Sequence, residues 1–494
     1  MNPLLLTDGY KTGHHQQYPK GTTLVYSNFT PRSNKYAPKG CEQVVSFGQQ
    51  MVMKQIHEAF QNEFFSKPKE EVCGEMKREL SLYLGTDYDV THFEKLHDLG
   101  YLPIHVKGIE EGTLVPMRVP VLTIYNTHPD FYWVTNYLET ILSNLLWKPM
   151  TSATIAHQYR KVLTSWMEKT DKERAWFIDW QGHDFSMRGM DSVEAVISSG
   201  LGHLTSFSGT DSLPTLHGAR KFYGEEGFVG GSVNATEHSV MCAGSKDDEV
   251  GTFKRLIETY PTGILSVVSD TWDLWKVCTE HVVTLKEEIL ARDGKLVIRP
   301  DSGDPVDIIC GTRDEIDRDW QGTPEQKGVI ELLWDVFGGT VNEQGYKVLD
   351  SHIGAIYGDS ITIDRAHKIC DRLEAKGFAS TNIVLGVGSF TYQYNTRDTF
   401  GFAMKATYVE VNKPKFNGDF NPEGREIFKD PITDDGTKKS ATGLLAVSRD
   451  VFGNIALNDK LGWNLESLGL LKPIYVDGVF GEQTTLTEIR NRLK

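Results

Sequence analysis

The sequence predicts an α/β protein, a barrel of parallel strands joined to a separate α+β unit. Three observations carry that expectation. From residue 174 onward, short β-rich runs alternate with helical stretches; many of the gaps are close to roughly 30 residues, the length of one βα unit in a barrel; and each run is followed at once by polar residues that share little else.

The elements follow in order. Up to about residue 150, strand-like runs such as 23–29 mix with an amphipathic helical stretch at 49–65, and Pro and Gly punctuate the segment, which reads as α+β. The barrel strands are expected at 176–180, 205–208, 264–269, 296–299, 353–357 and 383–387, with helices at 247–260 and 271–292 that are charged on one side and apolar on the other. Residues 411–443 are rich in Pro, Gly, Asn, Asp and Lys and read as a loop or lid. The last fifty residues read as strand and helix packing back on the first unit. The expected division is therefore 1–150 plus 400–494 for the α+β sheet domain, and 151–399 for the barrel.

Composition narrows the function. The 494 residues are 39% hydrophobic and 24% charged, near the globular average, so a disordered or fibrous chain is excluded. A formal net charge of -15 repels polyanions, so neither nucleic acid nor an anionic membrane is the expected partner. Six cysteines without a CxxC pair suit reduced thiols and offer no zinc framework. No stretch is apolar for long enough to span a bilayer and no signal peptide is read, so a cytoplasmic location is expected.

The polar residues beyond each run carry the chemistry. In a parallel barrel the carboxyl ends of the strands open on one face, so His183, Asp184 and Arg188, then Asp211, Asp270, Arg299 with Asp301, Asp359, and Gly388 with Ser389 should converge there. The segment LVIRPDSGDP (296–305) ends a buried strand in Arg299, which can clamp a phosphate with parallel hydrogen bonds; Asp301 can accept from a sugar hydroxyl or hold a magnesium ion. An Arg–Asp ion pair capping a strand is the plain alternative. IGAIYGDSI (353–361) repeats the design, with Gly358 allowing close backbone approach and Asp359 placed for a ribose diol. Backbone N–H groups of Gly388 and Ser389 at a helix start suit a phosphate, and GxGxxG is not completed, so a dinucleotide-binding reading fails. His238, in SVNATEHSVM, could accept a phosphoryl group, with Asp270 fixing its tautomer; a structural histidine is the competing reading. Phe185 and Tyr10 are candidates to stack on a planar ring, though aromatic residues more often belong to a core.

Taken together, LLLTDGYKTGHHQQYP, GHDFSMRG, FSGTDS, SVNATEHS, SVVSD, VIRPDSGDP, YGDSI, TRD and FKDP resemble the motifs of the nicotinamide phosphoribosyltransferase family, type II phosphoribosyltransferases, and they spread from residue 4 to about 431. The resemblance implies an incomplete α/β barrel fused to a sheet domain built from both chain ends, and a head-to-tail homodimer with shared active sites. It implies transfer of the phosphoribosyl group of phosphoribosyl pyrophosphate to nicotinamide, with Mg²⁺ and with ATP phosphorylating His238 as a coupling step. Phe185, with Tyr10 from a second copy, would sandwich the pyridine ring; Asp211 would accept the carboxamide N–H, with Arg188 on the oxygen side and the second copy's Asp8 near the ring. Arg299, Asp301, Gly358 and Asp359 would hold the ribose and pyrophosphate, and Gly388 and Ser389, with Arg397 and Lys405 of the second copy, the 5′-phosphate. Arg32, Lys429 and Lys438 would add phosphate contacts. Asp270 would orient His238, and Asp270 and Asp301 are the carboxylates expected to meet magnesium. Two other readings stay open: a nicotinate-specific transferase, against which an aspartate at 211 argues by repelling a pyridine carboxylate, and a non-catalytic extracellular signalling protein.

Overall fold

The computed structural model describes the chain except for residues 313–321, 359, 415–419, 430–431 and 433–440. It divides into two compact units, one of Met1–Thr154, Ala219–Glu225 and Asn395–Lys494, the other of Ile155–Gly218 and Glu226–Tyr394.

The second unit is the barrel. Its seven strands run in the order Gly209–Thr210, Gly182–Asp184, Ile383–Val387, Ile353–Tyr357, Asp293–Arg299, Thr262–Val268 and Asn234–Ala235, and every neighbouring pair is parallel. The central strands are near-continuous runs of Val, Ile and Leu because helices cover the outer face, leaving no solvent side for polar alternation. The sheet curls until Gly231, just ahead of Asn234–Ala235 on one edge, bridges to Gly209 on the other. Closure thus rests on one short bridge instead of a full strand pair, and the barrel is incomplete.

The strands Ile353–Tyr357 and Ile383–Val387 match the sequence reading residue for residue, Asp293–Arg299 begins three positions before it, and Thr262–Val268 begins two positions before it and ends one short. The first two expected strands are corrected. Residues 176–180 lie in a 3-10 turn, Lys172–Phe177, and a short helix, Ile178–Gln181, and the strand is the next segment, Gly182–Asp184. Residues 205–208 precede the strand Gly209–Thr210. The stretch 271–292 is no single helix: a π-turn at Val277–His281 and a break at Leu285 divide it.

The first unit is organised on an antiparallel sheet in the order Phe420–Glu426, Ala403–Pro414, Thr22–Thr30, Leu122–Asn126, Ile104–Ile109, Leu471–Val476 and Val479–Phe480. Strands from both chain ends therefore interleave. A buried ion pair between Lys107 and Glu466 ties them further: Lys107 Nζ also donates to the Glu466 carbonyl at 2.9 Å, and the Tyr26 hydroxyl donates to the same carboxylate at 3.0 Å. These partners offset the desolvation that an unpaired buried charge would suffer. The expected loop at 411–443 is corrected in its described part, where Ala403–Pro414 pairs with Phe420–Glu426. Among the described residues no helix is long and apolar enough to cross a membrane.

Candidate active site

The carboxyl ends of the barrel strands carry the reactive side chains, and backbone bonds continue past the strands to fix them. Phe185 N donates to Val387 O at 3.0 Å, Asp211 N to Asp184 O at 3.0 Å, and Ser269 N to Arg299 O at 3.0 Å. The turns after successive strands are thereby laced to one another before any side chain is considered.

Two runs of contacts follow, one through Asp211, His183, Phe185 and Arg299 and one through Asp301, Asp270 and His238, and Gly358 lies between them. His183 Nε2 lies 2.9 Å from Asp211 Oδ1, and the His183 ring sits tilted against Phe185 with centroids 4.5 Å apart. The Arg299 guanidinium lies over the Phe185 ring at 4.8 Å, a cation–π contact. Gly358 faces both Arg299 and Asp301: a Cβ there would come 2.5 Å from Asp301 Oδ1 and 2.9 Å from Arg299 Nε, so glycine is required for that approach. Asp301 N donates to Asp270 Oδ2 at 2.9 Å, as does the Ser302 hydroxyl. Asp270 Oδ1 in turn lies 3.2 Å from His238 Nε2.

Asp211 is held in its ionised form. Partial burial pushes its pKa up, but hydrogen bonds from His183 and Ser232 and the positive charges of His183 and Arg299 outweigh this, and the net shift is downward. The His183 and Ser232 donors both address Oδ1, and Oδ2 accepts no hydrogen bond among the described residues. One face of the carboxylate is thus fixed and the other is presented to a donor. His183 received no role from the sequence and Ser232 was not singled out at all. A histidine between Gly182 and Asp184 in a three-residue strand and a serine after a Gly-Gly pair carry no local signature; only the curl of the sheet brings them to Asp211.

Asp270 is nearly buried, its side chain 7% exposed, whereas the His238 ring is 47% exposed at the first position of the helix His238–Ala243. With Nε2–H donating to Asp270, the lone pair is left on Nδ1 at an open surface. Of the two carboxylates considered for a metal, Asp270 already accepts from protein donors on both oxygens, while Asp301 accepts none among the described residues. No group of three or more metal-ligating side chains occurs among the described residues. That arrangement fits Mg²⁺, which takes one or two carboxylates and fills its remaining positions with substrate phosphates and water. Arg299 Nε is buried without a hydrogen-bond partner among the described residues, an orphaned donor facing the same turn.

Gly388 caps the short helix Ser389–Tyr392, and a Cβ on Gly189 would run into the Ser389 hydroxyl, which places Ser389 against the turn Met187–Gly189 that carries the exposed Arg188. The remaining residues gather in the first unit. Lys405 pairs with Asn28 across the sheet, and Arg32 Nε donates to Gly401 O at 2.9 Å. The Lys405 pKa is lowered by desolvation; Glu139 raises it, while Arg32, Arg397 and Lys429 lower it, which marks four cations crowded together in an acidic protein. Tyr10 is 66% exposed and feels both Asp8 and Arg397, and Asp8 accepts from the Thr140 hydroxyl at 2.7 Å. Asp359 and Lys438 lie outside the described residues.

Comparison with known proteins accords with this geometry. The model of the nicotinate phosphoribosyltransferase family matches residues 180–466, and that of the nicotinamide phosphoribosyltransferase N-terminal domain matches residues 2–97. The nicotinamide phosphoribosyltransferase of Acinetobacter baylyi is 50% identical over 505 residues, covering 100% of this chain and 97% of the relative. That of Mycoplasma pneumoniae is 35% identical over 457 residues, covering 89% and 94%. In fold, the chain is similar to the nicotinate-nucleotide pyrophosphorylase of Pyrococcus furiosus (TM-score 0.53, 16% identity, 99% of this chain and 93% of the other) and to human nicotinic acid phosphoribosyltransferase (TM-score 0.53, 14% identity, 99% and 92%).

Proposed function

The chain belongs to the nicotinate/nicotinamide phosphoribosyltransferase family, and we infer that it transfers the 5-phosphoribosyl group of phosphoribosyl pyrophosphate to nicotinamide, forming nicotinamide mononucleotide and pyrophosphate for NAD salvage. The observation that carries this reading is the run Asp211, His183, Phe185, Arg299, met across Gly358 by the run Asp301, Asp270, His238, which brings a hydrogen-bond acceptor and a flat ring to a cation and a carboxylate.

Substitution at ribose C1 passes through a cation-like centre as pyrophosphate leaves, so a departing polyanion must be stabilised and a weak neutral nucleophile held in line. Arg299, whose Nε has no hydrogen-bond partner among the described residues, meets the first need together with Arg188, and the backbone donors of Gly388 and Ser389 go to the 5′-phosphate. Mg²⁺ bound with the substrate would be held by Asp301 and would neutralise phosphate charge. Phe185 and Asp211 meet the second need: the ring stacks on the pyridine, and the open Oδ2 accepts the carboxamide N–H. A carboxylate substrate would place two anions against each other in a desolvating pocket, which is why the amide is the favoured acceptor.

Tyr10, Asp8, Arg32, Arg397, Lys405 and Lys429 complete the site from a second copy in a homodimer, with the cation cluster gripping the 5′-phosphate. ATP phosphorylates His238 at Nδ1, releasing ADP, while Nε2–H stays hydrogen-bonded to Asp270; later hydrolysis of the phosphohistidine to inorganic phosphate couples ATP hydrolysis to synthesis. The test is pyrophosphate and mononucleotide formation from phosphoribosyl pyrophosphate and Mg²⁺ with nicotinamide or nicotinate as acceptor. Faster turnover of nicotinate, or none of either, would overturn the reading.

A further inference from the structure

The helix Val193–Leu204 carries in its last turn a histidine that none of the reaction-site contacts uses. His203 is fully buried, and both of its ring nitrogens and one ring face are engaged. Nε2 lies 3.0 Å from the Gly209 carbonyl oxygen, and Nδ1 lies 2.7 Å from the Tyr392 hydroxyl, 189 residues away in sequence. The ring stacks on Phe207 with centroids 5.1 Å apart and planes 27° from parallel. A carbonyl oxygen can only accept, so Nε2 carries the proton and Nδ1 accepts from the Tyr392 O–H.

The two ends of this link belong to the two halves of the barrel's reaction site. Tyr392 closes the helix Ser389–Tyr392, a single turn in which Thr391 N donates to Gly388 O at 3.1 Å and Gln393 N to Ser389 O at 2.7 Å. Over that turn Tyr392 stands only about 4.5 Å along the axis from Ser389, at about 1.5 Å per residue, so a shift of one end carries the other. Gly209 opens the strand Gly209–Thr210, and Asp211 follows directly. A Cβ on Gly209 would come 2.7 Å from His183 Nδ1, which places this strand hard against the residue that holds Asp211. The other side of the helical turn is tied separately: the hydroxyls of Tyr159 and Thr391 both donate to the Ile361 carbonyl, Thr391 at 3.2 Å.

We propose that His203 is a positioning residue for the transfer: it fixes the separation between the phosphate turn and the acceptor strand, and so keeps ribose C1 in line with the pyridine nitrogen. The inference rests on the transferase reading. In-line substitution tolerates little misplacement, and a shift of about 1 Å costs on the order of a hundredfold in rate. Neither His203 nor Tyr392 touches a substrate in this arrangement. Cutting the link therefore leaves each subsite its own donors and removes only their registration, which lowers the rate of the bound complex and spares both KM values.

The test uses the full-length protein with Mg²⁺, phosphoribosyl pyrophosphate and nicotinamide, and reads the single-turnover rate beside both KM values and the melting temperature. Tyr392→Phe removes one hydroxyl and keeps the ring; His203→Gln can keep the donor to Gly209 while giving up the Nδ1 acceptor. Each is expected to slow the single turnover at least tenfold with both KM values within threefold. The double variant is expected to fall no further than the slower single, because both changes cut the same bond. Should His203→Gln fail to fold, Tyr392→Phe decides alone. A native rate per folded molecule, with only earlier melting, overturns the proposal, as does a loss confined to KM. An unaltered protein without transfer would overturn the transferase reading and this inference with it, and that outcome is seen before any variant is compared.

Discussion

Replacing Asp211 by Asn keeps the shape of the side chain and removes its charge. In the native site Oδ1 is engaged by His183 and Ser232 and Oδ2 is open. Asn can turn its oxygen towards those two donors only by presenting its NH₂ to the carboxamide NH₂ of nicotinamide, donor against donor. The loss is one charge-assisted hydrogen bond, about 1.5 to 3 kcal/mol, which converts to roughly a tenfold to a hundred-and-fifty-fold fall in kcat/KM at 1.36 kcal/mol per decade. The Asp211 side chain is 40% exposed, so the lower half of that range is expected. For nicotinate the same change removes a repulsion and adds a donor, so the ratio of the two kcat/KM values should move by more than either alone. The assay is initial-rate pyrophosphate release with each acceptor, with thermal melting to show that the fold persists. An unchanged acceptor ratio would refute the assignment of Asp211 to the amide.

Three further outcomes follow from the geometry. Gly358→Ala places a methyl group 2.5 Å from Asp301 Oδ1; overpacking of this kind costs about 1 to 3 kcal/mol, and the KM for phosphoribosyl pyrophosphate should rise at least tenfold while that for nicotinamide stays put, which steady-state kinetics would show. Incubation with ATP should label the protein with acid-labile phosphate, and His238→Ala should abolish the label yet keep ATP-independent transfer; an unlabelled native protein would remove the coupling step. The Lys295 pKa is pushed down to about 8 by burial and by Arg174, with Asp350 pulling the other way. The charged ammonium therefore costs stability below about pH 8, a cost relieved as pH rises toward the unfolded value. Denaturant stability should therefore gain more between about pH 8 and 10 in the unaltered protein than in Lys295→Met, and equal gains would contradict it.

Much of the site was legible because its chemistry is concentrated at strand ends. The strands Ile353–Tyr357 and Ile383–Val387 are runs of apolar residues bounded by glycine and polar turns, and a buried parallel strand has no other appearance. Residues 176–180 misled because Trp, Phe and Ile favour strands in general, yet the run folds as helical turns and the barrel strand is Gly182–Asp184, whose composition has little β preference. The long helix expected at 271–292 is divided by a π-turn that no periodicity announces. His183 was placed at the site by its strand end, but its pairing with Asp211, like that of Ser232, was hidden for a different reason: it spans 28 and 21 residues of sequence and is decided by curl and not by local pattern.

The claim on which the account rests is that two half-sites, one on the barrel and one on the sheet unit of a second copy, make one reaction centre. It is tested by mixing two inactive variants, Arg299→Ala and Arg397→Ala, dissociating them and letting them reassociate. A shared site predicts recovery of about a quarter of native activity, because half the dimers then carry one intact site of two. A mixture as inactive as its components would contradict it.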